Sequence, residues 1–244
     1  MSLSRLCEQI LTWIKDKVEQ AKAKGGVVGL SGGVDSSVVS VLCKKALGKN
    51  VLAVVMPCYN NPLDEKHAIQ VAKEFDIKFE VVPLEGVYDK FLEILPPGNK
   101  LAKANIKPRI RMITLYYFAN NLNYLVVGTG NKSEISVGYF TKYGDGGADI
   151  FPLGGLLKTE VIELARYLGI PRAIIEKAPS AGLWPGQTDE GEMGITYREL
   201  DEIILYMEGK GEKKFSEDKL KKAKELIEKS EHKRKSPAIF SPER

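Results

Sequence analysis

The stretch that decides the fold is Val27-Val28-Gly29-Leu30-Ser31-Gly32-Gly33-Val34-Asp35-Ser36-Ser37. Residues 27–30 are apolar without alternation, which suits a strand buried on both faces of a parallel sheet. Val34 to Leu47 reads as a helix closed by Gly48, a residue suited to a helix C-terminus. Strand, glycine turn and helix in that order put the loop at the carboxyl edge of an open sheet, where such folds bind ligands. Glycines remove the Cβ atoms that would keep an anion off the backbone. The helix start presents free N–H groups, and Ser31, Ser36 and Ser37 add hydroxyls, so the loop suits phosphate. It lacks both the Gly-Lys-Ser/Thr of a Walker A loop and the Gly-x-Gly-x-x-Gly of a dinucleotide fingerprint. Asp35 repels phosphate unless a cation mediates, and magnesium, which takes one or two carboxylates together with phosphate oxygens, is the simplest resolution. The alternative is an ordinary glycine turn with Asp35 capping the helix.

Outward from the loop the same alternation recurs: a strand at 50–56, a helix over 64–75, a strand at 78–82, a helical stretch over 100–121 interrupted by Pro108, and a strand at 124–128. Repeated units of this kind with continuously apolar strands predict a doubly wound, mostly parallel α/β sheet with helices on both faces. Helical appendages flank it. At the amino end Leu3, Leu6, Ile10, Trp13, Ile14 and Val18 recur at helical spacing, and residues 196–230 are helical and dense in interleaved Lys and Glu. Two irregular segments, 138–155 and 178–194, are rich in glycine and polar residues and flank a helix at 158–168. Long irregular segments in a compact domain are more often functional than idle.

Composition narrows the class. The 244 residues are 43% hydrophobic and 28% charged, the globular average rather than the disordered one. A formal net charge of +4 does not announce a nucleic-acid binder. Cys7, Cys43 and Cys58 fit neither a disulfide framework nor a zinc spacing, which points to a reducing cytoplasm. The charged amino terminus offers no signal peptide, and the longest apolar stretch, Val51 to Met56, is far short of the roughly 20 residues that span a bilayer.

The string SGGVDSS resembles the signature loop of the pyrophosphatase-type ATP enzymes, which cleave ATP to AMP and pyrophosphate while adenylating a substrate oxygen. The loop alone does not choose among them. GTGNKSEISVGYFTKYGDGGADIFPLGGLLKTEV (128–161), APSAGLWPGQTDEGEMG (178–194), NIKPRIRM (105–112) and EHKR (231–234) are similar to the ammonia-dependent NAD synthetase family. The resemblance implies an adenine nucleotide alpha hydrolase-like fold and amidation of deamido-NAD by ammonia, with ATP as co-substrate, through an acyl-adenylate. It also implies a homodimer. A glutamine-using form needs a large extra amidase domain, and only about 24 residues precede the loop strand. A single domain over 1–244, using free or delivered ammonia, is therefore expected.

Carried over residue by residue, the resemblance puts ATP on Ser31, Gly32, Gly33, Val34, Asp35, Ser36, Met56, Thr129, Lys158 and Ser180. Asp35 and Glu134 would hold Mg2+, since two carboxylates at two strand ends can converge on one cation. Glu134 reads equally well as a helix-capping acid. Lys158 opens a helix, an unfavourable place for a cation against the helix dipole unless an anion is near, and it would stabilise charge at the attacked α-phosphate. Deamido-NAD would meet Arg109, Arg111, Tyr139, Lys142, Asp145, Asp149, His232 and Lys233. The acids of KYGDGGAD suit ammonium, from which Asp145 could take a proton, or they form a polar Asp-Gly turn. The segment Pro57-Cys58-Tyr59-Asn60-Asn61-Pro62 departs from the forms associated with the family, leaving the adenine contacts open. Other readings are a second adenylating synthetase such as the ATP domain of a GMP synthetase, an RNA-modifying enzyme using Lys213 to Lys235, and a non-catalytic nucleotide sensor. Glu217, Asp218, Glu225, Glu228 and Glu231 interrupt that basic run, which favours a solvated helix over nucleic acid.

Overall fold

A computed structural model describes residues 2–184 and 186–242. Ser2 caps α1 (Leu3–Gln20), whose Cys7, Ile10, Ile14 and Val18 are buried at three- and four-residue spacing. The chain then runs through β1 (Gly25–Gly29), α2 (Val34–Leu47), β2 (Val51–Val55), α3 (Pro62–Glu74) and β3 (Phe79–Val81). Next come α4 (Glu85–Ile94), α5 (Lys100–Ala104), α6 (Ile106–Leu122) and β4 (Tyr124–Val127). The remainder is helical: α7 (Lys132–Val137), α8 (Lys158–Leu168), α9 (Arg172–Ile175), α10 (Asp189–Met193), α11 (Tyr197–Met207), α12 (Glu217–Lys229) and α13 (Glu231–Arg234).

Strands form at all four expected places, and two helices keep the bounds read from sequence, 34–47 and 158–168. Other details differ. The stretch expected to be helical over 196–230 divides into α11 and α12, and α10 forms within the segment 178–194 that reads as irregular. Gly25 and Gly26 belong to β1, where a Cβ on Gly25 would stand 2.0 Å from the Asn50 carbonyl oxygen. The helical stretch expected over 100–121 divides at Asn105 rather than at Pro108. Pro108 lies in the first turn of α6, where the N–H that proline lacks has no partner within the helix. Helix α4 is an addition; none of its residues is buried, although Val87, Tyr88, Phe91 and Leu92 recur at helical spacing.

The four strands are ordered β3-β2-β1-β4 and every pair is parallel, with Val27 opposite Leu52 on one side and Val126 on the other. Alternate residues serve opposite faces. Val28, Ala53 and Val55 pack under α1, α2, α3 and α8, while Val27, Leu52, Val54 and Val126 pack under α6. A smaller third core, built on Leu200, Ile203, Ile204, Leu220 and Ala223 of α11 and α12, seats this carboxyl-terminal pair against Val137 of α7 and Leu157 before α8. Among the described residues no helix is long and apolar enough to cross a membrane.

From β1 the chain goes outward to β2 and β3, then crosses back to place β4 on the other side of β1. This reversal leaves a crevice outside the carboxyl ends of β1 and β4, the place where open α/β sheets bind ligands. The glycine loop 31–33 and the segment after β4 both enter it.

Gly32 fixes how the loop meets its surroundings. Its φ is +79° and a Cβ there would lie 2.1 Å from the Asp64 carbonyl oxygen on α3. Gly32→Ala therefore combines left-handed strain with a backbone clash, and thermal unfolding should show a loss of at least about 1–3 kcal/mol.

Candidate active site

The crevice is a cavity of about 1030 Å³, lined from β1 and α2 on one side, the segment after β4 on another, and the carboxyl-terminal residues on a third. At its floor the glycine loop closes on itself. The Ser36 hydroxyl donates to the Gly33 carbonyl at 3.0 Å, the Ser31 N–H donates to Ser36 Oγ at 3.2 Å, and the Ser37 hydroxyl donates to the Gly33 carbonyl at 2.8 Å. Gly33 is the N-cap of α2 and no side chain caps that helix. The first N–H groups of a 14-residue helix are therefore offered to the cavity, the arrangement that favours an anion.

Asp35 does not cap. Its carboxylate accepts from Asn131 Nδ2 at 2.9 Å and pairs with the Lys158 ammonium. Lys158 Nζ also stands 3.5 Å from Glu134 Oε1 and 5.0 Å from the centre of the Tyr197 ring. The lysine is 2% exposed and the two acids 17%. Burial alone would lower the ammonium's pKa, but Asp35 and Glu134 outweigh it and hold Lys158 above the ordinary lysine value. Burial, and then repulsion from Asp35, pushes Glu134 up to about 8 against the pull of Lys158. One ammonium thus stands between two carboxyl groups, and Glu134 answers the shortage of positive charge by holding its proton near neutral pH.

Glu134 caps its own helix and also reaches the Lys158 cluster. Its Oε2 accepts from the Asn131 N–H at 3.2 Å while Asn131 Oδ1 accepts from the Glu134 N–H at 3.0 Å, a reciprocal cap of α7. Its other oxygen faces Lys158 and the Tyr197 hydroxyl, which donates to it at 3.3 Å. Among the described residues no group of three or more His, Cys, Asp or Glu is arranged to hold a metal by itself. The Asp35 and Glu134 carboxyls, beside an uncapped helix start, have the chemistry to hold magnesium, which takes one or two carboxylates and would displace the Glu134 proton.

On the opposite wall, Asp145 Oδ1 accepts from the Thr141 N–H at 2.9 Å. Burial raises its carboxyl above the usual aspartate value, opposed by that N–H and by Lys233 and Arg111. Lys233 donates to the Gly138 and Phe140 carbonyls, each at 2.8 Å, and Lys142 donates to the His232 carbonyl at 2.6 Å. These bonds bring α13 onto the loop after α7. Arg111 is tied from Nε to the Met56 carbonyl at 3.2 Å and from a terminal nitrogen to Asn60 Oδ1 at 2.7 Å, while Arg109 donates to the Lys142 carbonyl at 3.3 Å.

Of the residues singled out in sequence, the cavity brings together Ser31, Gly33, Val34, Asp35, Ser36, Met56, Arg109, Arg111, Thr129, Glu134, Tyr139, Lys142, Asp145, Lys158, Ser180, His232 and Lys233. Three stand outside it. Ser37 is fully buried and its hydroxyl is spent on the Gly33 carbonyl, so it is not offered to a phosphate. Gly32 is turned against α3, where a Cβ would meet the Asp64 backbone. Asp149 points into the sheet edge, where its carboxylate accepts from the Val126 N–H at 2.7 Å and from the Tyr116 hydroxyl at 3.0 Å. The unpaired edge of β4 needs an acceptor there, and a buried N–H without one is costly.

Other residues at the site had no clear mark in the sequence. Asn131 could have been found, since Asn with Glu three residues later is a capping signal. Tyr197 and Asp189 could not. Tyr197 donates at 3.0 Å to Asp189 Oδ2, and burial, Glu134 and Asp189 push its phenol far above its usual pKa, so it remains a donor. Tyr139 donates to Glu192 Oε2 at 2.9 Å, and Glu192 also accepts from Gln187 at 2.8 Å.

Residues 6–237 match the family described as NAD synthase. The NH(3)-dependent NAD(+) synthetase of Carboxydothermus hydrogenoformans is 51% identical over 237 residues, covering 95% of each chain. Among solved structures, the NMN synthetase of Francisella tularensis superposes with a TM-score of 0.91 at 38% identity over 99% of both chains. The NH3-dependent NAD synthetase of Campylobacter jejuni, in complex with nitrate ion, gives a TM-score of 0.86 at 30% identity over 99% of this chain and 100% of that one.

Asn131 holds both the α7 cap and Asp35, so Asn131→Ala should lower stability in thermal unfolding by about 0.5–2 kcal/mol, the usual range for a lost cap.

Proposed function

The chain belongs to the NAD synthase family, and from that premise we propose that it is an ammonia-dependent ligase that makes NAD from deamido-NAD, ATP and ammonia. AMP and pyrophosphate are the other products. The observation that carries the reading is the shared Lys158 ammonium, held between Asp35 and Glu134 beside an uncapped helix start, in one cavity with Asp145.

The chain's own residues divide the work. The N–H groups at the start of α2, with Ser31 and Ser36, hold the pyrophosphate end of ATP. Met56, Thr129 and Ser180 line the cavity where the rest of the nucleotide lies. Asp35 and Glu134 would hold Mg2+, which would supply charge neutralisation on the phosphates. Lys158 stays protonated and stabilises the charge that grows on the α-phosphate as the nicotinate carboxylate of deamido-NAD attacks it and pyrophosphate leaves. Arg109, Arg111, Tyr139, Lys142, His232 and Lys233 form the wall for deamido-NAD. Asp145, whose pKa burial raises, takes a proton from the nitrogen as ammonia attacks the acyl carbon and AMP departs. A base acts only when deprotonated, so this contribution fades as pH falls through that raised value. Asp149 supports this wall from behind, through β4.

Three further points follow from the same reading. The 244 residues act as one sheet-centred unit with ammonia as donor. Cys7, Cys43 and Cys58 are all free and buried, which suits a reducing cytoplasm. Helices α4 and α6 leave Phe91, Ile94, Leu95, Ile113 and Tyr117 exposed, an apolar face that suits a homodimer. Ile113→Asp with Tyr117→Asp should then halve the mass measured by light scattering, whereas an unchanged mass removes this face from the interface.

The function is tested by measuring NAD from deamido-NAD, Mg-ATP and ammonium, with AMP, and with glutamine and nicotinate mononucleotide in parallel arms. NAD formed in step with AMP, ammonium far outperforming glutamine, is the expected result. Preference for the mononucleotide, the arm suggested by the name of the Francisella relative, would move the substrate and keep the chemistry. Asp145→Asn should lower amidation by about 10²–10⁴-fold while ATP–pyrophosphate exchange survives. Lys158→Met should lose both by about 10²–10³-fold.

A further inference from the structure

Asp201 is a buried acid, 3% exposed, with no part in the chemistry above. It lies on α11, in the carboxyl-terminal appendage, yet every side-chain bond it makes goes to the site. One carboxylate oxygen accepts from the Ser133 hydroxyl. The other accepts from both the N–H of Thr159, at 2.9 Å, and its hydroxyl, at 2.8 Å. Ser133 Oγ in turn accepts from the Lys158 N–H at 2.9 Å. Ser133 precedes Glu134 in the first turn of α7, and Thr159 follows Lys158 in the first turn of α8. A single carboxylate thus joins the two helix starts that carry Glu134 and Lys158.

The placement suits an acid on both counts. Leu157, the N-cap of α8, has no side-chain oxygen with which to accept from an N–H, so the N–H groups at the start of that helix need an acceptor from elsewhere. A carboxylate near a helix N-terminus also offsets the unfavourable position of the Lys158 ammonium in the same turn. Tyr197, four residues earlier and so on the same side of α11, reaches Glu134 and stands beside Lys158. The helix therefore touches the Lys158–Glu134 pair twice, once directly and once through the backbone that carries it.

We propose that Asp201 is a positioning residue: it sets the separation and orientation of Lys158 and Glu134 by bonding Ser133 and Thr159, and so couples the α11–α12 appendage to the phosphate end of the site. The proposal rests on the function proposed above. Without the carboxylate, nothing else among the bonds described joins Ser133 to Thr159, and the first turns of α7 and α8 lose their common acceptor.

The test compares wild type, Asp201→Asn, Ser133→Ala and the double variant by steady-state kinetics and by calorimetric titration of Mg-ATP. Asp201→Asn should lower kcat by about ten- to a hundredfold, the scale of an ångström-sized misplacement. The KM for deamido-NAD, bound on the other wall, should stay within about twofold. Because Ser133→Ala cuts the bond to Asp201 together with the Lys158 N–H bond, the loss in the double variant should fall short of the product of the two single losses. A kcat within about twofold of wild type, a loss carried by KM, or losses that multiply in the double variant would overturn the proposal. If Asp201→Asn does not fold, Ser133→Ala, which removes one hydroxyl, is held to the same limits on kcat and KM. If wild type makes no NAD, the functional reading falls and Mg-ATP affinity decides: weakening by about tenfold supports a positioning role, and affinity within about twofold of wild type overturns it.

Discussion

The buried ammonium of Lys158 is the interaction on which the site depends. An ammonium taken out of water is stable only when paired, and Asp35 and Glu134 pair it from two different helices. The same two carboxylates would repel each other without it. Each of the three groups lies in the first turn of its helix, so satisfying the charges draws the starts of α2, α7 and α8 to one point above the sheet. The strand order makes this possible, because β1 and β4 are neighbours and the segments that follow them open into the same crevice.

The balance within that cluster is uneven by construction. Asp35, Glu134 and Asp189 all act on a single lysine, and Glu134 carries the result as a carboxyl raised to about 8. A buried carboxyl that keeps its proton near neutral pH for want of further positive charge, next to a helix start suited to anions, is the physical case for magnesium in the proposed function. The opposite wall has a different character. There the loop 138–149 is held by backbone carbonyls that accept from Lys233 and by Lys142, which donates to the carbonyl of His232, so cations serve to fold the wall. The proposed function uses both halves together, one for phosphate and the other for a second nucleotide and a nitrogen donor.

The residues on which sequence and structure part company do so for local reasons. Pro108 is a helix breaker in isolation, but the first turn of α6 has no use for the N–H it lacks. Asp149 reads as one of a pair of loop acids, but the edge of β4 draws it inward to accept from Val126. Glu134 reads as either a cap or a functional acid; one oxygen caps α7 and the other faces Lys158.

From the sequence alone came the alternation of strands and helices, the parallel sheet, the glycine loop at its carboxyl edge and the family likeness. Those features depend on periodicity and on turn chemistry, which act over a few residues and are written in consecutive positions. Asp201 and Tyr197, which look like ordinary residues of an amphipathic helix, became part of the site only when α11 packed on α7 and α8. Their partners, Ser133, Glu134 and Thr159, lie 42 to 68 residues away along the chain. Which buried acid faces which hydroxyl is decided by close packing and by the need to satisfy each buried polar group, and no local pattern encodes it.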